Sequence, residues 1–287
     1  MNEKAAKRSN KLTESPSKPT YISPSQLKNI FMCEGLYQSK YILNDPSTPF
    51  GANMISGTII DSIFTDFFSK RINGEKVEFM DLDQIEAIYM KERDRALETG
   101  ADWVFEKAWL FNKRQDLWLR MRELGQKYVT WFDEQGYEAL FAQKKVEGVI
   151  DGENYYGIVD LIYRRPDGTG VIVDWKLQTR RNQLRIDHHL QVSIYAWMTG
   201  TWDMELHYLV PYGKEIGWKI HHSLKPLSKE FITSLAKKRE RIHQGDVILN
   251  PSNNWCNPKM CAAWHHCPVG EARNGFTMPE VRVPPII

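Results

Sequence analysis

The sequence contains no apolar stretch near the roughly 18 residues that a membrane-spanning helix needs. The first 20 residues also lack the apolar core of a secretion signal, because they are polar and rich in Lys, Ser and Pro. We therefore expect a protein without a membrane segment, located in the cytoplasm. A segment of such composition cannot bury enough apolar surface to fold, so we predict a disordered arm over residues 1–20.

An excess of charge of either sign is also missing. The chain carries 38 Lys and Arg against 36 Asp and Glu, so its bulk charge does not identify a partner. The length of 287 residues and the apolar content of 42% suit an ordinary globular protein. We predict a single domain over residues 21–272 followed by a tail over 273–287. Its parts are a mainly helical region (21–136), a core (137–222) and a helix with a cysteine cluster (223–272).

The spacing of apolar residues changes along the chain from helical to alternating or continuous. A helix begins at Ser23, where Pro24 and Gln26 complete the signature of a capping box. Short turns join three consecutive predicted strands, which makes them antiparallel neighbours. The further predicted elements are helices over 54–72, 81–136, 186–200 and 228–245, and strands over 141–150, 154–163, 170–177, 205–211 and 217–222. This order indicates an α/β fold with a helical flank.

Three charged residues, Asp160, Asp174 and Lys176, lie inside two of these apolar strands. The turn between the strands is centred near residues 167 and 168, so Asp160 should face residue 174 or 175 at a Cβ separation of roughly 5 Å. Asp174 and Lys176 are two residues apart on one strand and share a face. The sequence therefore predicts that all three charges meet in one small volume.

Two carboxylates this close repel each other unless a cation lies between them. Mg²⁺ is typically held by one or two carboxylates, with water and phosphate oxygens completing its shell, and a nearby lysine can stabilise developing negative charge. The pattern favours metal-assisted phosphodiester hydrolysis. The alternative is an ordinary hairpin with an Asp–Lys pair, but the flanking apolar residues indicate burial on both faces, where a surface ion pair does not belong.

These residues resemble the PD-(D/E)XK nuclease superfamily, and specifically its RecB-like branch, over about residues 20–270. The match is carried by Asp160 in GIVDLI, by Asp174, Trp175 and Lys176 in VIVDWKL, and by Gln191 and Tyr195 as a Q-x-x-x-Y pair. The resemblance implies a restriction-endonuclease-like α/β core, a central mixed sheet flanked by helices. It also implies that Lys176 positions or activates the attacking water, while Gln191 and Tyr195 orient Lys176 or a phosphate.

The resemblance further implies a site for Mg²⁺ or Mn²⁺. Its ligands would be Asp61, Asp160, Asp174 and the backbone carbonyl of Trp175, with Glu147 on the first strand as a possible addition. Asp61 lies in GTIID, where the branch commonly has a histidine four residues after the glycine. This difference bears on metal preference, and an Asp near a helix start is also favoured by the helix dipole alone.

The four cysteines are Cys33, Cys256, Cys261 and Cys267. Disulfides are not expected in a reducing cytosol, and three of the four lie within twelve residues, a spacing that suits a metal. One before the core and three after it resemble the layout of RecB-like nucleases that bind a [4Fe–4S] cluster. The C-x4-C-x5-C spacing departs from the shorter first gap of that family. A structural Zn²⁺ site is the alternative, with a neighbouring histidine able to replace one cysteine. We expect either metal to be structural.

Together these features predict a metal-dependent DNA nuclease, with an exonuclease acting on single strands or duplex ends favoured by the resemblance. Recombination, repair or spacer processing are the expected processes, with recombination, phage or CRISPR proteins as possible partners. The competing hypotheses are a non-catalytic DNA-binding or recombination subunit that retains the fold, and a zinc-stabilised interaction module. Basic residues near the motifs are candidates for a groove that follows the DNA backbone: Lys144, Lys145, Arg164, Arg165, Arg180, Arg181 and Arg185. We expect His188 and His189 to be exposed.

Overall fold

The computed structural model describes residues 21–44, 52–77, 79, 82–98, 114–178, 184–211 and 216–252, and near the C-terminus residues 256, 261, 263–264 and 267–273. The predicted arm over 1–20 and nearly all of the predicted tail lie outside the described residues. So does the middle of the region predicted to be helical over 81–136. No helix among the described residues is long and apolar enough to cross a membrane.

The described helices and strands follow the predicted order. The helices are α1 (Pro24–Met32), α2 (Glu34–Tyr37) with a π-helical turn (Gln38–Ile42), α3 (Ala52–Ile72), α4 (Leu82–Glu98), α5 (Arg114–Glu134), α6 (Ile186–Thr199), α7 (Lys229–His243) and α8 (Pro268–Arg273). The strands are β1 (Glu138–Ile150), β2 (Glu153–Arg164), β3 (Gly170–Leu177), β4 (Met204–Val210) and β5 (Gly217–His221).

The five strands form one mixed sheet in the order β1-β2-β3-β4-β5. The strands β1, β2 and β3 are joined by tight turns and run antiparallel. The strand β4 is parallel to β3, and α6 provides the long crossover that a parallel connection requires. The strand β5 returns antiparallel to β4. This arrangement confirms the predicted α/β fold and makes β3 the central strand.

Helices cover both faces of the sheet, so β3 is buried on both sides. On one face, α3 and α5 pack against the sheet and α4 packs against these two helices. Phe64, Phe68 and Tyr128 surround the Trp175 side chain of β3. On the other face, α1, α6 and α7 form a second core in which Leu190 contributes from α6. Burial of this apolar surface is the main stabilising contribution to such a layered fold.

The start of α1 confirms the predicted capping box. The Gln26 backbone N–H donates to Ser23 Oγ at 3.2 Å, and the Ser23 N–H donates to Gln26 Oε1 at 3.1 Å. Just before the cap, the Ile22 N–H donates to the Asn154 carbonyl at 2.8 Å, and Ile22 bridges Tyr155 of β2. The chain therefore enters α1 directly from the edge of the sheet, which fixes this helix beside β2.

The β2–β3 hairpin has the register that the turn predicted. Leu161 pairs with Val173 and Ile162 with Ile172, so one step further along places Asp160 across from Asp174. Gly168 in the turn has a φ of 90°, a left-handed conformation that glycine adopts without strain. The turn geometry thus determines which charged residues face each other.

Glycine is required where α6 crosses β2. A Cβ atom at Gly157 would lie 2.6 Å from Cε1 of Tyr195 and 3.3 Å from Cδ of Pro24. Tyr195 is almost completely buried, so its ring has little freedom to move away. The missing side chain at Gly157 lets α6 approach the strand that carries Asp160.

Replacing Gly157 by Ala should therefore destabilise the fold by about 1–3 kcal/mol, because an extra methyl group overpacks a filled site. The measurement is the free energy of unfolding in urea. Gly170→Ala is the matched control, since a Cβ at Gly170 meets no atom within 4 Å among the described residues. Equal stabilities of the two variants would contradict this packing argument.

Candidate active site

An open cavity of about 320 Å³ lies where α3 meets β2 and β3. Its lining residues are Gly57, Thr58, Ile60, Asp61, Asp160, Trp175, Lys176 and Leu177. The structure thus brings predicted residues from three separate segments to one cavity.

Asp174 carries a carboxylate that is fully buried in the central strand. The Lys176 ammonium forms an ion pair with Oδ2 of Asp174. Apart from that ammonium, no group in the described part of the chain donates a hydrogen bond to either oxygen of Asp174. A buried carboxylate with so little compensation is costly, and a cation is the partner that would stabilise it.

Asp160 lies beside this pair. The backbone N–H of Trp175 donates to Asp160 Oδ2 at 2.9 Å, which holds the carboxylate against β3. Burial raises the pKa of Asp160 well above its usual range, and the charge of Asp174 raises it further, while Lys176 opposes the shift. The two predicted carboxylates are therefore close enough to repel each other.

Asp61 approaches the same place from α3, one helical turn after Gly57. Burial raises the pKa of Asp61 to about 6, with Lys176 opposing that shift and Asp174 adding to it. Three carboxylates thus converge on one ammonium. The pKa of Lys176 responds to this excess: burial alone would lower it, but the attraction of Asp174, Asp160 and Asp61 outweighs burial and raises it.

Gln143 of β1 is a member of the site that sequence reasoning missed. Its side-chain Nε2 donates to Asp61 Oδ1 at 3.1 Å and lies 3.5 Å from Asp160 Oδ1. Ala142 pairs with Leu161 and Lys144 with Val159, so Gln143 faces Asp160 across the β1–β2 ladder. Residues equally far from the short turn at residues 151–152 face each other, so the position of this turn would have indicated Gln143 as the neighbour of Asp160.

Glu147, the possible ligand on β1, is not brought to the site. It pairs with Tyr156 in the ladder and its side chain is exposed. It lies four residues beyond Gln143, a separation of about 13 Å along a strand. The β1 residue that reaches the carboxylates is therefore Gln143.

The predicted pair on α6 is brought together. The Gln191 Nε2 donates to the Tyr195 hydroxyl at 3.2 Å, one helical turn away. Burial raises the pKa of Tyr195, and the nearby charges of Asp174 and Asp160 raise it further, so its hydroxyl stays protonated. Tyr195 therefore lies within the electrostatic reach of both carboxylates.

The family model that describes the PD-(D/E)XK nuclease superfamily matches residues 21–268 of this sequence. The chain belongs to the PD-(D/E)XK nuclease superfamily. Nucleases of this superfamily typically use divalent metals such as Mg²⁺. The sequence-based assignment to the superfamily and to its restriction-endonuclease-like fold is thereby confirmed.

Two solved structures resemble this PD-(D/E)XK chain. The crystal structure of SSO0001 is 16% identical over 93% of this chain and 94% of its own, with a TM-score of 0.44. A candidate exonuclease from Eubacterium rectale is 12% identical over 86% of this chain and 91% of its own, with a TM-score of 0.41. With TM-scores below 0.5, neither likeness bears on function. A comparison with curated proteins gave no match.

Behind the D-W-K motif of this PD-(D/E)XK protein, a chain of hydrogen bonds anchors Trp175. Its indole Nε1–H donates to the Tyr128 hydroxyl at 3.1 Å, and that hydroxyl bonds to His207 Nδ1 at 2.6 Å. The other ring nitrogen of His207 lies 2.8 Å from Glu205 Oε2. Burial lowers the pKa of His207, which favours a neutral ring that donates to Glu205 and accepts from Tyr128. Both ends of Trp175, backbone and indole, are thus fixed.

Arg165 belongs to this buried network and not to a DNA groove. Its guanidinium donates to Glu205 Oε1 at 2.9 Å and to Asp203 Oδ1 at 3.1 Å. His188, expected to be exposed, is instead buried and hydrogen-bonded to the Tyr208 hydroxyl at 3.0 Å. His189 also has a partner, the carbonyl of Lys225 at 2.8 Å. These residues have structural roles that their local sequence did not reveal.

The four cysteines line a second cavity, far along the chain from the carboxylates. The pKa of the Cys261 thiol is raised to about 11, mainly by burial and in smaller part by the other three cysteines. Cys33 lies between α1 and α2, where the Asn250 N–H donates to its Sγ at 3.4 Å. The next residue, Glu34, is buried and accepts the Ile248 N–H at 2.8 Å. The segment after α7 is therefore held against the Cys33 turn.

Both residue sets fit the groups that they would hold. The carboxylates offer only oxygen, the ligand type that Mg²⁺ and Mn²⁺ take, and the oxygens of Asp174 lack the donors that burial demands. Four converging thiols suit an iron–sulfur cluster or zinc. Within the described residues, no three His, Cys, Asp or Glu side chains are spaced as a formed metal centre.

The raised pKa of Asp61 leads to a pH-dependent prediction. The folded, metal-free chain holds a proton on Asp61 up to about pH 6, whereas an ordinary carboxyl releases it near 3.8. Because the folded state binds more protons in this window, the contribution of Asp61 to stability falls as pH rises through it. A bound cation removes the repulsion, so the increase in Tm caused by Mn²⁺ should be larger near pH 7 than near pH 5.

Thermal unfolding of chelator-treated protein with and without Mn²⁺ at both pH values measures this effect. Asp61→Asn removes the titrating carboxyl, so this variant should show a smaller difference between the two pH values. A shift of Tm by Mn²⁺ that is the same at both pH values would contradict the prediction.

Proposed function

We propose that this protein is a DNA nuclease of the RecB-like branch that uses Mg²⁺ or Mn²⁺ and degrades DNA from an end. The observation that carries the proposal is the fully buried Asp174 carboxylate, which is ion-paired with Lys176. Lys176 in turn lines an open cavity together with Asp160 and Asp61. A structural ion pair would balance its charges. Here three carboxylates share the ammonium of Lys176, because the other nearby ammonium, Lys28 of α1, is ion-paired with Asp187 at 3.2 Å. The site therefore has room for further positive charge.

The metal would be held by Asp61, Asp160, Asp174 and the backbone carbonyl of Trp175. When bound, Mg²⁺ or Mn²⁺ supplies positive charge that polarises a phosphate oxygen and lowers the pKa of a water molecule. The anchoring of Trp175 by Tyr128 fixes the backbone that carries the carbonyl.

Lys176 acts through its charge. Its raised pKa keeps the side chain an ammonium at neutral pH, so it stabilises negative charge on the phosphate and orients the attacking water. Burial and the nearby carboxylates keep Tyr195 protonated, so its hydroxyl can donate toward a phosphate oxygen, with Gln191 orienting that hydroxyl. These groups are placed before substrate arrives, which is the arrangement that electrostatic catalysis requires.

DNA is the proposed substrate, and exposed lysines support an approach along β1. Lys144 and Lys145 directly follow Gln143 and are exposed. Lysines at such positions bind the DNA backbone without reading sequence. The preference for DNA ends, the processes of recombination, repair or spacer processing, and their protein partners rest on the resemblance alone.

Cleavage assays test the nuclease proposal. End-labelled single-stranded and duplex DNA should be degraded with Mg²⁺ or Mn²⁺ and not with a chelator, and circular single strands should survive. Lys176→Ala should lower kcat/KM by roughly 10²–10³-fold, as expected for the loss of a preorganised charge. Asp160→Asn should also abolish activity.

Lys127→Ala is the matched control, because Lys127 is an exposed α5 residue paired only at the surface with Glu123. Equal activity of wild type and Lys176→Ala would contradict the assignment. Metal-dependent DNA binding without cleavage would instead indicate the non-catalytic subunit, and cleavage of circular strands would indicate an endonuclease.

We also propose that Cys33, Cys256, Cys261 and Cys267 bind a structural [4Fe–4S] cluster. Support comes from the shared cavity and from the mutual effect of the four thiols on Cys261. A cluster would stabilise the thiolates and join the Cys33 turn to the C-terminal segment, reinforcing contacts that Glu34 already makes.

Protein purified without oxygen should contain about four iron ions and four sulfide ions per chain and absorb visible light. Cys33→Ser should lose most of the iron and unfold at a lower temperature, while Ser252→Ala, an exposed neighbour of the same segment, should keep both. One zinc ion per chain with no visible colour would establish the alternative, and the absence of both metals would contradict any metal site.

A further inference from the structure

Gln143 has a backbone conformation that is unusual for a strand. Its φ is +49°, in the left-handed region, although Ala142 and Lys144 on either side keep their ladder partners in β2. Residues other than glycine seldom adopt this conformation, and they keep it where the surrounding structure holds them. The strand therefore maintains a local strain at the one position that faces Asp160.

The side chain of Gln143 uses this conformation to reach two carboxylates. A single Nε2 amide lies 3.1 Å from Asp61 Oδ1 and 3.5 Å from Asp160 Oδ1. An amide nitrogen carries two hydrogens, so one group can donate to both. Asp61 comes from a helix and Asp160 from a strand, and Gln143 is the residue that connects them.

Asp61 borders two open cavities. It lines the cavity with Asp160 and Lys176, and it also lines a second open cavity of about 500 Å³ with Ser62, Thr65, Asp66, Ser69 and Gln143. Gln143 lies on this second cavity and donates to Asp61 from there. The amide thus bonds to a carboxylate that borders both cavities.

We propose that Gln143 is a positioning residue that holds Asp61 and Asp160 together as a preformed pair for a divalent cation. The inference rests on the proposed function, in which these carboxylates bind the metal. A neutral amide suits the task, because a lysine or arginine would compete with the cation for the carboxylates and a glutamate would add to their repulsion. Outer partners of this kind orient ligand oxygens and strengthen binding.

Two substitutions of Gln143 separate the effect of its side-chain amide from the effect of its strained backbone. Gln143→Gly accepts a positive φ without strain but has no amide. Gln143→Asn keeps an amide and tolerates the left-handed region better than most residues. The metal-free glycine variant should unfold at the wild-type temperature or above it, so a loss of metal binding cannot be attributed to misfolding.

The measurement is the affinity for Mn²⁺ alone, from the increase in Tm across a titration of chelator-treated full-length protein. Gln143→Gly should bind Mn²⁺ roughly 10–100-fold more weakly than wild type, and Gln143→Asn should recover part of that loss. In DNA cleavage, the glycine variant should need more Mn²⁺ for half-maximal rate but approach the wild-type rate at saturating Mn²⁺.

A double-mutant cycle shows whether Gln143 acts through Asp61. In an Asp61→Ala background, Gln143→Gly should weaken Mn²⁺ binding much less than it does in wild type. Unchanged Mn²⁺ affinity in Gln143→Gly, no recovery in Gln143→Asn, or an undiminished loss in the Asp61→Ala background would each overturn the inference.

The same titration distinguishes this inference from the proposed function. Wild type that binds Mn²⁺ and cleaves DNA, with a glycine variant that does both equally well, would overturn the role of Gln143 alone. Wild type that binds Mn²⁺ but cleaves no DNA would overturn the nuclease proposal, while a weakened glycine variant would still support the role of Gln143. Wild type that binds no Mn²⁺ would overturn both.

Discussion

The carboxylate of Asp174 is buried in the middle strand of a five-stranded sheet, and its negative charge must be stabilised by the other groups of the site. Its strand is covered by helices on both faces, so water cannot solvate the charge. The ammonium of Lys176, on the same strand, stabilises part of that negative charge. Asp160 and Asp61 then add negative charge instead of removing it. Such an arrangement is a poor way to stabilise a fold and a good way to attract a cation.

The helices contribute as much to the candidate active site as the strands do. The α3 helix brings Asp61, and α5 brings the Tyr128 hydroxyl that accepts the Trp175 indole N–H. On the opposite face, α6 presents Tyr195 and can approach only because residue 157 is a glycine. A polar network that ends at Glu205 supports the motif from behind. The motif tryptophan is thus held by elements other than the strand that carries it.

Much of the fold could be read from local signals, because caps and tight turns act over a few residues. Ser23 and Gln26 marked the start of α1, and the turn at Gly168 set Asp160 across from Asp174. Counting residues outward from the turn at residue 151 in the same way would have identified Gln143 as the cross-strand neighbour of Asp160. Its left-handed backbone, however, has no signature in the sequence.

The remaining differences involve partners that are distant in sequence. Arg165 looked available for DNA because its partner Glu205 is 40 residues away in a strand that reads as apolar. His188 of α6 looked exposed because its hydrogen-bond partner, the Tyr208 hydroxyl, lies 20 residues away in strand β4. Glu147 was suggested by family resemblance, and only the ladder register shows that it lies too far along β1. Tertiary contacts of this kind are not encoded by any short window of residues.

The hydrogen bond between Tyr128 and the Trp175 indole joins the helical region to the strands of the core. The sequence divides the single predicted domain into a mainly helical region over 21–136 and a core over 137–222, and the core could be mistaken for a minimal unit. A fragment over residues 137–222 would lack both Tyr128 and Asp61, leaving the motif tryptophan without its anchor and the cavity without one wall. The smallest unit that can preserve this site must include residues 52–222, so helices and strands here would be inherited, transplanted or redesigned only together.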